Sequence, residues 1–283
     1  MDFDAVENAI DVGSPIFMYE AIYGASAGDA YRYTGTPLQT IANGKNWLPI
    51  QIEHTEIVSN GTLDNQTITI TMRSNADLVD MFRLAPPSIV VEINIYRGYL
   101  GEQAFNIEWK GRIVSMALNP EEGTAAFSCE PISTSLRNTG LRRKYQLGCP
   151  FVLYGSACKV SQLAHTESGA ITGIVDARTL QVTLTGAQMG VNASNLIAGV
   201  CTVTKANGMK DRRAIVNAVN VGGRVYNVTL MSYIADVSVG LVASLSKGCP
   251  HTFSSCRDIF GNVANFGGCP NIPSSNPYRV NTF

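Results

Sequence analysis

The sequence contains few charged residues, and this scarcity limits the classes of function that the protein can have. Charged residues make up 15% of the 283 residues, and the formal net charge is −1. Such a chain has no global field that would attract nucleic acid or anionic lipid, so we expect neither sequence-specific nucleic-acid binding nor stable membrane insertion. The low charge fits a surface that partner subunits cover, and it fits a large, well-packed monomer equally well.

Long hydrophobic runs are missing as well. The N-terminal stretch MDFDAVENAIDVGSP is acidic and has neither the basic nor the apolar segment of a secretory signal. Apolar stretches such as LIAGVCTV are far too short to span a bilayer. We therefore expect a protein made and kept in a cytosol, where thiols stay reduced. The seven cysteines are an odd number, which argues against a disulfide framework.

Catalytic signatures are also missing. The sequence contains no G-x-S-x-G, P-loop, H-E-x-x-H or G-x-G-x-x-G motif. Among the three histidines, His54 is expected on a solvated strand face and His165 in a polar turn. Lys210, Arg212 and Arg213 form a small basic group that we interpret as a solvated turn or a subunit contact. We therefore expect that the protein is not an enzyme.

Short strand-like segments dominate residues 1–140. They are rich in β-branched and aromatic residues, and QTITITM alternates Thr with Ile or Met, as a strand with one buried face does. The exception is NADLVDMFRL, in which Leu78 and Phe82 have helical spacing and Asn75 or Ser74 can cap the first turn. The pattern predicts an N-terminal β-rich domain with one short helix.

Residues 161–246 form a second strand-rich segment. It contains at least five short strands with turns at NG and GG, and its length suits a small β-barrel. The segment begins just after one pair of cysteines and ends at the next pair. We therefore predict a mainly β protein in which a small barrel is inserted between the two halves of a metal-binding clasp. The halves are residues 141–160 and residues 247–283, the second of which ends in an extended tail.

Four of the seven cysteines fall into two widely separated pairs. Cys149 and Cys158 have eight residues between them, and Cys249 and Cys256 have six; neither spacing matches zinc ribbons or fingers. Gly-Cys-Pro occurs three times; a glycine before a ligand lets the backbone approach the sulfur, and a proline after it removes a competing donor. From the residues alone, an iron–sulfur cluster, a structural zinc site and unligated core thiols all stay open.

Cationic side chains flank both pairs. Four thiolates around a cluster leave net negative charge, which nearby cations would offset. The flanking cations are Arg142, Arg143, Lys144, Lys159, Lys247 and Arg257.

The other cysteines have simpler interpretations. Cys129 and Cys201 alternate with apolar residues in strand-like segments, so we expect both in hydrophobic cores. Cys269 is expected to be a bystander of the metal site. His251, two residues after Cys249, is a secondary candidate for a metal ligand, as in sites of mixed histidine and cysteine ligation.

Both cysteine segments have the form of motifs known from one protein family. CRDIFGNVANFGGCPNIP begins at Cys256, the second cysteine of the pair with six residues between its members, and continues with a phenylalanine, an asparagine and an ending similar to NFRGFPHIPG. GCPFVLYGSACKV contains the other pair, and YRYTG, WKGRIVS and FSCEPIS match N-terminal segments in order. These motifs resemble the tail-tip (baseplate) hub proteins of long-tailed bacteriophages and gene transfer agents. Cys269, Asn271 and Ser274 depart from the family pattern, which has phenylalanine, histidine and glycine there.

The resemblance implies a structural virion protein at the distal end of a phage tail, assembled in the host cytoplasm. Such a hub is a homotrimer that adapts the distal tail protein ring to the central spike or fibre protein. It also meets the end of the tail tube and the tape-measure protein, and it helps to seal the tail until genome delivery.

The resemblance also implies a cofactor. The lambda-like tail tip attachment protein shares the four-cysteine arrangement and carries an iron–sulfur cluster. The implied ligands of a [4Fe–4S] cluster are therefore Cys149, Cys158, Cys249 and Cys256. The alternatives are a four-cysteine zinc site in the same structural role, or a tail-associated cell-wall hydrolase.

Overall fold

The structure, a computed structural model, describes most of the chain and divides it into two compact units, Met1–Thr139 and Gly140–Phe283. The described residues are 15–24, 26, 28–57, 67–99, 105–137, 144–186, 192–206 and 208–273. The protein is mainly β, as the sequence predicts. In the described part of the chain, no helix is both long and apolar enough to cross a bilayer.

A nine-stranded sheet forms the first unit. Its elements are β1 (Ile16–Ile22), β2 (Ala30–Thr34), β3 (Thr40–Ala42), β4 (Lys45–Pro49), β5 (Ile52–His54), β6 (Ile68–Arg73), α1 (Asp77–Arg83), β7 (Glu92–Gly98), β8 (Asn106–Asn119) and β9 (Thr124–Pro131). The order across the sheet is β3-β4-β2-β1-β7-β8-β9-β6-β5, and every neighbouring pair is antiparallel except β2 and β4. The segment WLPIQIEHTEIV is divided between β4 and β5.

Hydrophobic residues cover both faces of this sheet around β1. Tyr19 belongs to a large core that also contains Phe127, whereas the preceding residue, Met18, belongs to a smaller cluster with Trp47 and Tyr96. Because successive residues of a strand point to opposite faces, the two clusters lie on opposite sides of β1. The strand is therefore buried on both faces.

The alternation predicted for QTITITM is confirmed. In β6, Ile68, Ile70 and Met72 are buried, while Thr69 and Thr71 are half-buried. A strand with a period of two places its apolar side chains on the core face in this way.

Helix α1 begins where the sequence predicts a helix, but with a different cap. The residue at the N-cap position is Ala76, whose side chain cannot accept a hydrogen bond, so the cap predicted at Asn75 or Ser74 is wrong. The Tyr33 hydroxyl instead accepts a hydrogen bond of 3.2 Å from the N–H of Leu78. This contact satisfies one of the free N–H groups of the first turn.

A closed six-stranded barrel forms the core of the second unit, as predicted. Its strands are β10 (Thr166–Ile174), β11 (Thr179–Leu184), β12 (Val200–Thr204), β13 (Lys210–Gly222), β14 (Val225–Leu230) and β15 (Val242–Ser246), with a short helix α2 (Ala193–Leu196) between β11 and β12. The order is β10-β11-β14-β13-β12-β15, and β15 pairs with β10 to close the barrel. Val182, Val203, Val228 and Leu245 are fully buried in its core.

The three members of the basic group at the start of β13 differ in their surroundings, since Lys210 and Arg212 are exposed and Arg213 is half-buried. Arg213 Nη1 lies 3.0 Å from Oδ1 of Asp211, a buried carboxylate. Lys205 Nζ lies 3.8 Å from the other carboxylate oxygen of Asp211. The interpretation of Arg213 as a solvated turn residue is therefore wrong, because its charge compensates a buried carboxylate of the barrel.

Candidate metal centre

The four cysteines implicated by the sequence line one cavity of the second unit. Cys149 and Cys158 lie in the irregular segment that precedes the barrel. Cys249 follows β15, and Cys256 lies in helix α3 (Phe253–Asp258). The structure therefore brings together two pairs of thiols that are separated by the whole barrel in sequence. Cys269 does not line this cavity.

Backbone hydrogen bonds hold the two cysteine segments against each other. The N–H of Cys149 donates to the carbonyl of His251 at 2.8 Å, and the N–H of Cys269 donates to the carbonyl of Gln146 at 2.9 Å. A side-chain contact adds to them, since the Tyr154 hydroxyl donates to the carbonyl of Lys247 at 2.7 Å. The arrangement of the thiols is thus supported by contacts that need no metal.

The glycines of the Gly-Cys-Pro motifs differ in their surroundings. A Cβ atom added at Gly248 would overlap the carbonyl oxygen of Ile197 and the amide nitrogen of Gly199. A Cβ atom at Gly148 would lie 3.5 Å from the nearest heavy atom, the carbonyl oxygen of His251, which is an ordinary contact. Close backbone approach therefore requires glycine at position 248 and does not require it at position 148.

Helix α3 is held at both ends. The Thr252 hydroxyl at the N-cap accepts a hydrogen bond from the N–H of Ser255 at 3.3 Å. After the helix, Gly261 has a φ of +58°, a left-handed conformation that favours glycine. The chain then turns back, so that the N–H of Asn262 donates to the carbonyl of Cys256 at 2.9 Å. These contacts fix the position of Cys256 at the cavity.

Hydrogen-bond donors approach three of the four sulfur atoms. The N–H of His251 donates to Cys249 Sγ at 3.3 Å, and the N–H of Gly267 donates to Cys149 Sγ at 3.4 Å. The side-chain amide of Asn262 is 3.8 Å from Cys158 Sγ. Donors of this kind stabilise a thiolate relative to a thiol, and they are a common part of the surroundings of metal-bound sulfur.

The fourth thiol is itself a donor in this structure. Cys256 Sγ donates to the carbonyl oxygen of Asn262 at 3.2 Å. Burial raises the pKa of Cys256, and the neighbouring Cys149, Cys249 and Cys158 raise it further. Four negative charges in this space would need a compensating cation, which is the condition that a metal ion or cluster meets.

The cavity is apolar around the thiols and small. Phe151, Leu153, Val160 and Phe260 line it with the cysteines, and its volume is about 20 Å³. In the described residues, no group of three or more His, Cys, Asp or Glu side chains could hold a metal ion as it stands. By its chemistry the set of four thiols suits a metal–thiolate site, and binding a metal there would require a rearrangement of the cysteine side chains.

The flanking cations do not all face the thiols. Lys144 and Lys159 are exposed and Lys247 is half-buried. Arg257 Nε lies 2.7 Å from Oδ1 of Asp258, so its charge is paired with a carboxylate on its own helix. Arg142 and Arg143 lie outside the described residues.

The histidines are placed differently from the sequence expectation. His54 is not on a solvated face: its Nδ1 lies 2.6 Å from the Tyr19 hydroxyl, and its ring packs against Phe17 with centroids 4.6 Å apart. His165 packs against Phe260, with ring centroids 4.9 Å apart. Exposed His251 lies at the cavity.

The two cysteines expected in hydrophobic cores are buried, as predicted. Cys129 in β9 belongs to the core of the sheet, and Cys201 in β12 belongs to the core of the barrel. Burial raises the pKa of each thiol to about 12. Both therefore stay neutral thiols that pack with apolar neighbours.

Sequence reasoning assigned no role to two residues that join the cysteine segments, Tyr154 and Asn262. Tyr154 lies between Cys149 and Cys158. Nothing in the local sequence indicates that its hydroxyl donates a hydrogen bond to a carbonyl 93 residues away. Asn262 belongs to the asparagine-containing motif after the second pair, and that motif is a signal by which it could have been found.

Two comparisons with known proteins each find a similarity to a protein of phages or phage-like particles. Residues 196–276 match the family described as "Phage conserved hypothetical protein BR0599"; this region runs from α2 through the second cysteine segment. A chain of the solved structure "Virion of native gene transfer agent (GTA) particle" is similar in fold, with a TM-score of 0.79 and 16% sequence identity. The similarity covers 100% of this chain and 97% of that chain. No curated protein matches the sequence.

Proposed function

We propose that this protein is a structural component of a phage or phage-like virion and that it acts without catalytic turnover. The observation that carries the proposal is the similarity in fold, over 100% of this chain and 97% of the other, to a chain of a gene transfer agent virion. The match of residues 196–276 to a phage family supports the same class from the sequence. The low charge of the chain is consistent with surfaces that are covered in an assembly.

Within the virion, the proposed place is the distal end of the tail. The hub-like motifs of both cysteine segments support this position. There a homotrimer would adapt the distal tail protein ring to the central spike or fibre protein, contact the tape-measure protein and the end of the tail tube, and keep the tail sealed until genome delivery.

The proposed cofactor is a [4Fe–4S] cluster, with zinc as the alternative. Cys149, Cys158, Cys249 and Cys256 would hold it, since all four line one largely apolar cavity and three of their sulfurs are approached by N–H donors. When bound, the group supplies sulfur–metal bonds that join two distant chain segments, and structural sites of this kind contribute about 10 kcal/mol or more to folding. The proposed role is mechanical, fixing the cysteine segments at the base of the barrel.

The cofactor is tested by purification without oxygen. Iron, acid-labile sulfide and zinc are measured per chain, together with the visible absorption. Four irons and four sulfides per chain in a brown protein are the expected result. One zinc per chain in a colourless protein would select the alternative, and the absence of all three would overturn the metal proposal.

The location is tested on intact particles. Electron cryomicroscopy of the tail is expected to place three copies of this chain at the distal tip. A position in the capsid or the tail tube would contradict the hub assignment. Absence of the chain from purified particles, together with hydrolysis of peptidoglycan by the isolated protein, would overturn the structural role itself.

A further inference from the structure

Asn262 contacts one cysteine from each of the two distant segments. Its side-chain amide donates to the carbonyl oxygen of Cys158 at 2.6 Å, and the same nitrogen is 3.8 Å from Cys158 Sγ. Its backbone N–H donates to the carbonyl of Cys256 at 2.9 Å, and its own carbonyl accepts from Cys256 Sγ at 3.2 Å. Asn262 also lines the cavity between these thiols.

The orientation of this amide is determined by its neighbours. Asn265 Nδ2 donates to Asn262 Oδ1 at 2.7 Å, so the oxygen of the Asn262 amide is occupied by a donor. The NH₂ group must then face Cys158, whose carbonyl oxygen can only accept. The left-handed turn at Gly261, with φ of +58°, brings the backbone of Asn262 back to the end of helix α3.

We propose that Asn262 is a positioning residue of the metal centre, an inference that rests on the proposed metal binding. It sets the separation between Cys158 and Cys256, and it directs an N–H group toward the sulfur of Cys158. Residues that orient metal ligands in this way typically change metal affinity by about ten- to a hundredfold when they are replaced. Among the described residues, Asn262 has side-chain or backbone hydrogen bonds to both of these cysteines.

One of these bonds involves a group that would ligate the metal. A metal ligand is a thiolate, so a metal-bound Cys256 would have given its proton to solvent and could no longer donate to the Asn262 carbonyl. The bond from the Asn262 N–H to the Cys256 carbonyl does not involve the thiol and persists. This backbone bond would therefore hold Cys256 in place while its sulfur serves as a ligand.

The inference is tested with two variants at this position and one control. Asn262→Asp keeps the size of the side chain but replaces the amide donor with a carboxylate, which repels the carbonyl oxygen and the thiolate of Cys158. Asn262→Ser removes the amide without adding charge and leaves a hydroxyl on a side chain too short to occupy the position of the amide. Asn227→Asp is the matched control. It makes the same exchange of Asn for Asp on β14, at a residue that does not line the cysteine cavity. Asn227 uses its side-chain oxygen to accept a hydrogen bond from Gln181, and aspartate keeps that acceptor.

Zinc ion is the first probe, in competition with a chromophoric chelator. Zinc affinity is expected to fall about tenfold or more in both Asn262 variants, and most in Asn262→Asp, while the control equals the wild type. Protein reconstituted with iron and sulfide is the second probe. The loss of a hydrogen bond to sulfur is expected to lower the reduction potential of the cluster and to shift its visible absorption. Circular dichroism checks that the barrel is folded.

The outcomes separate this inference from the metal proposal. A wild-type protein that binds neither zinc nor an iron–sulfur cluster overturns the metal proposal, whatever the variants do. A wild type that binds metal, with Asn262 variants of equal affinity, potential and absorption, overturns the positioning role alone. Unfolding of both variants, with the control folded, also overturns it, because Asn262 would then serve the fold rather than the ligands.

Discussion

The hydroxyl of Tyr154 donates a hydrogen bond of 2.7 Å to the carbonyl oxygen of Lys247. The two residues are 93 positions apart, one between the cysteines of the first pair and the other just before the second pair. The contact joins the two cysteine segments through the protein itself, independently of any metal. Part of the energy that brings these cysteine segments together therefore does not depend on a metal.

Replacing this tyrosine tests that contribution. Tyr154→Phe removes the donor and leaves the Lys247 carbonyl without it, so the metal-free protein should lose about 1 kcal/mol of unfolding free energy. Urea denaturation followed by circular dichroism measures the loss. Tyr145→Phe, at a side chain that is 87% exposed, is the matched control and should have no effect. Equal stability of the two variants would show that the contact contributes nothing.

Two of the three Gly-Cys-Pro glycines, Gly148 and Gly248, should respond differently to the same change. Gly248→Ala forces a methyl group onto the backbone of residues 197–199 and should cost about 1–3 kcal/mol of unfolding free energy. Gly148→Ala adds a methyl group at an ordinary contact distance of 3.5 Å from the His251 carbonyl oxygen, so it should leave stability unchanged or raise it by up to about 1 kcal/mol, because alanine restricts the unfolded chain. Thermal unfolding by circular dichroism compares the pair. Similar effects at both positions would contradict the packing described at Gly248.

Replacement of single cysteines should separate ligands from core thiols. Cys149→Ser and Cys256→Ser should each lose most of the bound metal and give poorly soluble protein, because an incomplete ligand set forfeits the metal's contribution to folding. Cys201→Ala, in the barrel core, should retain the metal and lose only about 1–2 kcal/mol from the lost sulfur contacts. Metal content per chain is the measurement. If the three variants bind the same amount of metal per chain, the ligand assignment is wrong.

The first unit should become less stable as the pH falls. Burial lowers the pKa of His54, so the unfolded chain, with a histidine pKa of about 6.5, takes up a proton more readily than the folded chain. The contribution of neutral His54 to the free energy of unfolding is therefore fully present above the unfolded pKa. It decreases as the pH falls below that value, until the pH has also passed the folded pKa. Both tryptophans, Trp47 and Trp109, lie in this unit, so urea unfolding followed by tryptophan fluorescence at pH 7.5 and 5.5 reports on it specifically.

A variant identifies the group responsible for this pH dependence. His54→Gln should reduce the difference between the two pH values, because glutamine cannot be protonated in this range. His251→Gln, at an exposed histidine of the second unit, should leave it unchanged. If the unfolding free energy of His54→Gln depends on pH as strongly as that of the wild type, groups other than His54 cause the effect.

Most of the fold could be predicted because its signals are local. Period-two alternation in QTITITM and turn pairs such as GG depend on neighbours in sequence, and they located β6 and the hairpin of β13 and β14. Ala76 at the N-cap of α1 was missed because the compensating group, the Tyr33 hydroxyl, lies on another strand. The half-buried site of His54 was missed for the same reason, since Phe17 and Tyr19 belong to a different strand.

The sequence by itself determined the residue chemistry of the candidate site: four thiols in two pairs, flanked by glycine and proline, on either side of a strand-rich insert. Only the tertiary structure decided that those thiols line one cavity, that Gly248 rather than Gly148 requires the absence of a Cβ atom, and that Asn262 links Cys158 to Cys256. The physical reason is that spacing along a chain limits only near neighbours. Closure of the barrel, through the pairing of β10 with β15, brings the two cysteine segments to the same place.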